Sequence, residues 1–134
     1  MSKPNLIISL TDRDQLQTLI NSARLDSRVP LTILNSLEGE LARAEVVSQW
    51  EVPADVVTMN SLVTFVDLAT NEEESYTIVY PRDADLLNDK ISIFAPVATA
   101  LLGFRVGDIV EWEVPAGTCR LKILTVENAA VVPS

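Results

Sequence analysis

The spacing of apolar positions predicts two helices in the first part of the chain. A first repeat in steps of three and four residues, typical of one helix face, consists of Leu16, Leu19, Ile20 and Ala23. We expect this helix to span about residues 12–23. It is expected to begin with a capping pair, in which Thr11 and Asp14 satisfy free backbone donors of the first turn.

The second helix is predicted to start at Pro30, because proline suits the first helical position. Its narrow apolar seam consists of Leu34, Leu37, Leu41 and Ala44. The polar connection over residues 24–30 is short, and helices joined by short connections pack antiparallel. We therefore expect a short helical hairpin of coiled-coil type.

After Trp50 the hydrophobic period changes from helical to two, which indicates strands. Residues 61–68 and 75–80 are the first two predicted strands, and the polar run 69–74 between them is a predicted hairpin tip. A charged loop over residues 81–89 follows, and residues 90–94 are a third short strand. Pro96 then begins a short helix, which should stop at Gly103.

Residues 110–123 predict a final hairpin, with apolar side chains on one face and charged side chains on the other. A two-residue turn at Ala116 and Gly117 would put opposite charges across from each other, which stabilises a strand pair. A longer loop with the same register stays open, because Ala-Gly is not an ideal hairpin turn. The expected register pairs Val110 with Ile123, Trp112 with Leu121, Val114 with Cys119, Glu111 with Lys122, and Glu113 with Arg120.

Together these elements predict an α+β protein with two parts. Residues 1–50 form the helical hairpin, and residues 51–134 form an antiparallel sheet domain that holds one short helix. A chain of 134 residues is long enough to bury a real core. No apolar run approaches the roughly 20 residues that span a bilayer, and the start MSKPNLIISL is interpreted as mature cytosolic sequence.

Composition removes most catalytic chemistry from consideration. The chain has no histidine and a single cysteine, Cys119. The usual general base, the commonest zinc ligand and any internal disulfide are therefore excluded. We expect no catalytic residue, no metal site and no cofactor. Cys119 is expected to pack as a small apolar side chain.

The charge of the chain is uneven, with a net value of −9. Residues 1–50 carry six acids and five bases, whereas residues 51–134 carry thirteen acids and five bases. An acidic domain is repelled by phosphate backbones, so a basic protein surface is a better partner than nucleic acid. Asp83, Asp85 and Asp89 crowd one loop, but their spacing fits solvated loop charges better than a calcium site.

Three segments carry a resemblance to a known family. VTMNSLVTFVDLATNEEESYTIVYPRDAD, KISIFAPVATALLGFRVGDIVEWEVPAG and RLKILTVEN follow in this order between residues 54 and 128. They closely resemble the C-terminal domain shared by the Gre transcript-cleavage factors and the Rnk proteins, which implies an FKBP-like fold and binding to RNA polymerase. VVTMNS and APV-x-x-ALLG-x-RVGD resemble the Rnk branch especially, which implies regulation of nucleoside diphosphate kinase, although no residue explains that effect.

The resemblance also implies a docking surface. In Gre factors the loop before the short helix ends in an Asp-Ser-Pro triplet that contacts the polymerase. The matching positions here are Phe94, Ala95 and Pro96, of which only Pro96 agrees. Asp89 and Lys90, where the charged loop meets the predicted strand 90–94, are expected to belong to the same docking surface. Phe94 could serve as an apolar anchor or simply pack in the core.

The helical hairpin departs from the Gre pattern. Gre factors carry a long coiled coil with two tip acids that help bind the catalytic magnesium of the polymerase. Here the hairpin is short, and its turn has one acid, Asp26, between Arg24 and Arg28. A lone carboxylate between guanidinium groups is a poor magnesium ligand.

The resulting hypothesis is a non-catalytic, monomeric regulator. It would dock near the secondary channel of RNA polymerase and compete there with Gre factors. Two alternatives remain: a transcript-cleavage factor that acts through Asp26, and an FKBP-type prolyl isomerase with an aromatic pocket beside Trp112.

Overall fold

The protein forms two compact units, Met1–Pro53 and Ala54–Ser134. A computed structural model describes residues 6–26, 28–114 and 117–128. No helix among these residues has the length and hydropathy to cross a membrane. The helices are α1 (Leu10–Arg24), α2 (Leu31–Arg43) and α3 (Pro96–Leu101). The strands are β1 (Ile7–Ser9), β2 (Glu45–Val47), β3 (Leu62–Asp67), β4 (Glu73–Val79), β5 (Lys90–Ser92), β6 (Ile109–Val114) and β7 (Gly117–Glu127).

The two predicted helices form the first unit. Most of both apolar seams is buried, because helical side chains three and four positions apart share one face. Leu19 is only half-buried, and Ala44 lies just past the end of α2 with an extended backbone. The buried side chains are Leu16, Ile20 and Ala23 on α1 and Leu34, Leu37 and Leu41 on α2. The helical prediction is therefore confirmed, and the short connection between the helices is as expected.

The start of α1 differs from the prediction. The N-cap is Ser9, whose backbone is extended and whose Oγ accepts a hydrogen bond from the Asp12 backbone N–H at 3.0 Å. The expected capping pair of Thr11 and Asp14 is wrong, because both residues already lie inside the helix. With 15 residues, α1 rises about 22 Å, more than a helix over residues 12–23 would.

A small parallel strand pair joins the two ends of the hairpin, which the apolar pattern did not predict. β1 pairs with β2, and the Glu45 N–H donates to the Leu6 carbonyl at 2.7 Å. Strands of three residues are too short to establish a period of two. The pair holds the start of α1 beside the end of α2, as antiparallel helices require.

The second unit is a five-stranded sheet in the order β5-β4-β3-β7-β6. The strands predicted at residues 61–68 and 75–80 are confirmed as β3 and β4. The expected antiparallel sheet is formed by the pairs β3–β4, β3–β7 and β6–β7, and the edge strand β5 differs from it by running parallel to β4. The connection between them passes through two short 3₁₀ turns, Pro81–Asp83 and Leu86–Asn88, and so returns the chain in the same direction.

α3 packs with the sheet of this unit and begins and ends as predicted. Pro96 occupies the first turn, and Gly103 has a φ of +86° just past the helix. That left-handed backbone is accessible to glycine at little cost. The core of the unit includes Val63, Phe65, Ile78, Ile93, Ala98, Leu101, Val110 and Ile123.

The final hairpin exists, but its register is shifted by two residues from the prediction. Val110 pairs with Leu121, Trp112 with Cys119, and Glu111 with Arg120. A two-residue shift keeps every side chain on its predicted face, so alternation alone could not detect it. The ladder closes with Val114 opposite Gly117, so Gly117 belongs to β7 and not to the predicted turn, and Ala116 lies outside the described residues.

Candidate functional site

The predicted docking residues lie along one edge of the sheet. β5 is an edge strand, Asp89 and Lys90 are at its beginning, and Phe94, Ala95 and Pro96 follow its end. We call residues 89–96 the docking edge. At about 3.3 Å per residue, the distance from Lys90 to Pro96 is at most about 20 Å. The structure thus places the five residues along one continuous segment.

Backbone hydrogen bonds fix the beginning of the docking edge. Asp85 and Lys90 exchange two N–H to carbonyl bonds of 2.9 Å, which close a six-residue loop. Asp89 has a φ of +55°, and its carbonyl accepts the Thr77 N–H at 2.8 Å. The side chains of Asp89 and Lys90 are exposed, so both are available to a partner.

Ser92 shapes the end of the docking edge. Its Oγ accepts the Phe94 N–H at 3.0 Å, and its carbonyl accepts the Ala95 N–H at 2.8 Å. These bonds turn the chain after β5, which is why the strand ends at Ser92 and not at Phe94 as predicted. Phe94 and Ala95 are half-buried and Pro96 is exposed.

Thr99 on α3 stabilises the same turn with two hydrogen bonds. Its buried side chain donates from Oγ1 to the Ile93 carbonyl at 2.6 Å, and its backbone N–H donates to the Ala95 carbonyl at 3.0 Å. Neither Thr99 nor Ser92 was among the predicted site residues. The available signal was that Thr99 is the one polar residue in the apolar run 97–102.

The arrangement suits recognition more than chemistry. It offers an apolar ring, a proline and two exposed charges on a backbone that is already ordered by internal hydrogen bonds. Phe94 is half-buried, which lies between the two alternatives left open by the sequence, and its role as an apolar anchor stays a prediction.

Asp26, the single acid of the hairpin turn, is paired with Arg28 of the same turn. Both carboxylate oxygens of Asp26 lie about 3 Å from the Arg28 guanidinium Nε, and Oδ1 also accepts the Arg28 backbone N–H at 3.1 Å. The backbone bond, followed by the guanidinium, lowers the pKa of Asp26 below its ordinary value. The carboxylate is thus ionised and satisfied within its own turn.

The other tip arginine contacts α2. The Arg24 guanidinium lies 2.7 Å from a Glu38 carboxylate oxygen, and the Gln17 side-chain amide donates to the second oxygen at 3.0 Å. The Gln17 hydrogen bond, followed by Arg24, lowers the pKa of Glu38. Arg24, Asp26 and Arg28 are therefore placed together near the turn, but in two separate ion pairs.

The remaining candidate residues have local structural roles. The Asp85 side chain caps the turn Leu86–Asn88, and Asp83 lies 3.8 Å from Arg82. Trp112 and Cys119 are half-buried and face each other across β6 and β7. Within the described ranges, no three acidic or cysteine side chains are grouped so that they could hold a metal ion.

Two family models match the chain. Residues 52–128 match the model "Transcription elongation factor, GreA/GreB, C-term", and residues 4–47 match the model "Rnk N-terminus". The first match covers the unit with the docking edge, and the second covers the helical hairpin.

Individual relatives agree with these models. The chain is 41% identical over 128 residues to a regulator of nucleoside diphosphate kinase from Escherichia coli, covering 95% of this chain and 92% of that protein. It is 44% identical over 93 residues to transcription elongation factor GreA from Thermoanaerobacter pseudethanolicus, covering 69% of this chain and 59% of the factor.

A solved structure shares the fold. It is a prokaryotic transcription elongation factor GreA/GreB from Nitrosomonas europaea, with a TM-score of 0.74 and 44% sequence identity. The match covers 93% of this chain and 99% of that one. The resemblance inferred from the sequence is thereby confirmed.

Proposed function

The chain belongs to the Gre/Rnk family of transcription factors, and we propose that it is a non-catalytic regulator that docks on RNA polymerase. Docking near the secondary channel would bring it into competition with Gre factors. It would then modulate transcription by occupying the site, without stimulating transcript cleavage.

The docking edge supports the first half of this proposal. It lies in the unit that matches the elongation-factor domain, and the hydrogen bonds from Ser92 and Thr99 order it before any partner arrives. An ordered surface loses little conformational entropy on binding. Two exposed charges, Asp89 and Lys90, lie beside the apolar part of the edge and can fix the orientation of a partner.

The hairpin turn supports the second half of the proposal, that the chain does not stimulate transcript cleavage. Its one acid, Asp26, is occupied by Arg28, and a magnesium ligand would have to break that pair and coordinate the ion without a second carboxylate. Hard cations require several oxygen ligands. This engaged carboxylate is the observation on which the non-catalytic role depends.

Charge supports a protein partner. Residues 54–128 carry 12 acidic and 5 basic side chains, a net charge of −7. Such a unit is attracted to a basic protein surface and repelled by nucleic acid. We further propose that the protein acts in the cytoplasm as a monomer, without direct nucleic-acid contacts, and that any effect on nucleoside diphosphate kinase is indirect, through transcription.

A transcript-cleavage assay tests the proposal. Stalled elongation complexes receive a fixed amount of a Gre factor and increasing amounts of the purified chain. We expect Gre-stimulated cleavage to fall as the chain is added, while the chain alone stimulates no cleavage.

Asp26→Ala is the matched variant. It removes the one acid of the turn and leaves the docking edge unchanged, so it should compete as well as the unaltered chain. Cleavage by the chain alone that disappears in Asp26→Ala would identify a cleavage factor instead. Undiminished Gre activity at micromolar excess of the chain would exclude the competition.

A further inference from the structure

Two leucines in the connection between β4 and β5 are almost fully exposed. Leu86 is 78% exposed and Leu87 is 96% exposed, and both lie in the turn Leu86–Asn88. Neither contributes to the core of the unit. Adjacent leucines in water are unfavourable, and their removal from water would favour binding of an apolar surface.

The turn that carries these leucines is firmly held. One Asp85 carboxylate oxygen accepts the Leu87 N–H at 3.1 Å, and the other accepts the Asn88 side-chain amide at 2.6 Å. The paired backbone bonds of Asp85 and Lys90 close the loop beneath them. The leucines are therefore displayed by an ordered turn, which lowers the entropy cost of covering them.

The leucines are also continuous with the docking edge. Asp89, the first residue of that edge, directly follows Asn88, and Lys90 closes the loop that holds both leucines. A partner that contacts Asp89 and Lys90 would therefore lie against the same turn.

We propose that Leu86 and Leu87 form the apolar anchor of the polymerase-binding surface. The partner surface is inferred to be apolar at its centre and bordered by lysine or arginine side chains. The inference depends on the proposed function, because it assigns that partner surface to RNA polymerase.

Charge favours this partner over a second copy of the chain. Asp85 and Asp89 flank the leucines on both sides, and the whole described part of this unit has an excess of acids. A second copy of the chain would bring two acidic surfaces together, which is unfavourable. A basic border around an apolar patch is complementary to both features.

The test measures the affinity of the full-length chain for purified core RNA polymerase, for example by fluorescence anisotropy. Three proteins are compared: the unaltered chain, the double variant Leu86→Gln with Leu87→Gln, and the control Ile109→Thr. Ile109 is 54% exposed on β6, at the opposite edge of the sheet, and threonine keeps its β-branched shape. Circular dichroism checks that all three proteins fold.

We expect the double variant to bind about 30-fold more weakly and Ile109→Thr to bind within about twofold of the unaltered chain. Asp89→Asn should bind a fewfold more weakly and with a smaller salt dependence, because asparagine tolerates the left-handed backbone but lacks the charge.

Each remaining outcome overturns the inference in a distinct way. If the unaltered chain binds and the double variant binds equally well, the anchor is wrong while the proposed function stands. If the unaltered chain does not bind at micromolar concentration, both fail. If sedimentation shows that the unaltered chain and Ile109→Thr form dimers while the double variant is a monomer, the leucines bind a second copy of the chain instead of polymerase.

Discussion

Replacing Thr99 tests whether the docking edge is held by α3. Thr99→Val keeps the shape of the side chain but removes the hydroxyl that donates to the Ile93 carbonyl at 2.6 Å. Thr99 is only 5% exposed, so water cannot easily replace the lost donor. Loss of a buried hydrogen bond of this kind costs about 1–3 kcal/mol, and we expect about 2 kcal/mol here.

Thr99→Ser is the matched control. Serine keeps the hydroxyl and deletes one buried methyl group, which costs about 1 kcal/mol. It should therefore retain the bond to Ile93 and the affinity for polymerase. Thr99→Val should bind polymerase about tenfold more weakly, because the segment that follows Ile93 loses its side-chain bond to α3 and must then be ordered during binding.

Urea unfolding followed by the fluorescence of Trp112 measures the stability. A Trp50→Phe background restricts the signal to the unit that contains Thr99. With a slope of about 1 kcal/mol per molar urea, Thr99→Val should lower the midpoint by about 2 M and Thr99→Ser by about 1 M. The reasoning is refuted if Thr99→Val is as stable as Thr99→Ser and binds polymerase equally well.

Two further predictions concern the helical hairpin. Ser9→Ala should destabilise it by about 1 kcal/mol in thermal unfolding, whereas Thr11→Ala should have almost no effect. A larger loss of stability in Thr11→Ala than in Ser9→Ala would show that Thr11 is the N-cap, as predicted from the sequence. Because the folded pKa of Glu38 and that of Asp26 are lowered, their stabilising contribution is present above about pH 4 and is lost as the pH falls through the folded values. The stability of the unaltered hairpin, followed by circular dichroism, should therefore fall as the pH is lowered through about 4. Glu38→Gln should be less stable near neutral pH and should show a smaller loss of stability on acidification, and an unchanged pH profile would contradict the ion-pair account.

The sequence predicted those elements whose period extends over several residues. Both helices repeat an apolar position over three turns, β3 alternates in burial along most of its six residues, and the second half of β4 is rich in aromatic and β-branched residues, so their existence and type were correct. β1 and β2 have three residues each, and no period can be established over so short a length.

The pairing of strands was less predictable than their location. Val110 and Trp112 were assigned to the correct face, but a shift of two residues preserves that face and changes every partner. The parallel pairing of β5 depends on the path of the connection over residues 80–89, which carries no periodic signal.

The residues of the candidate site were predicted through family resemblance, but the side chains that hold their backbone in place were not. The positions Asp89, Lys90 and Phe94 to Pro96 came from matching a loop, whereas the hydrogen bonds of Ser92 and Thr99 depend on tertiary contacts. The exposure of Leu87 was equally inaccessible, because apolar residues in a sequence are first expected in the core.

The central claim is that the protein docks on RNA polymerase through the edge formed by residues 89–96. A photo-crosslinking amino acid placed at Phe94 tests it most directly, with the same group at Ile109 on the opposite edge as the control. The account predicts a crosslink from position 94 to core polymerase that an added Gre factor suppresses, and none from position 109. Equal crosslinking from both positions, or none from position 94, would contradict it.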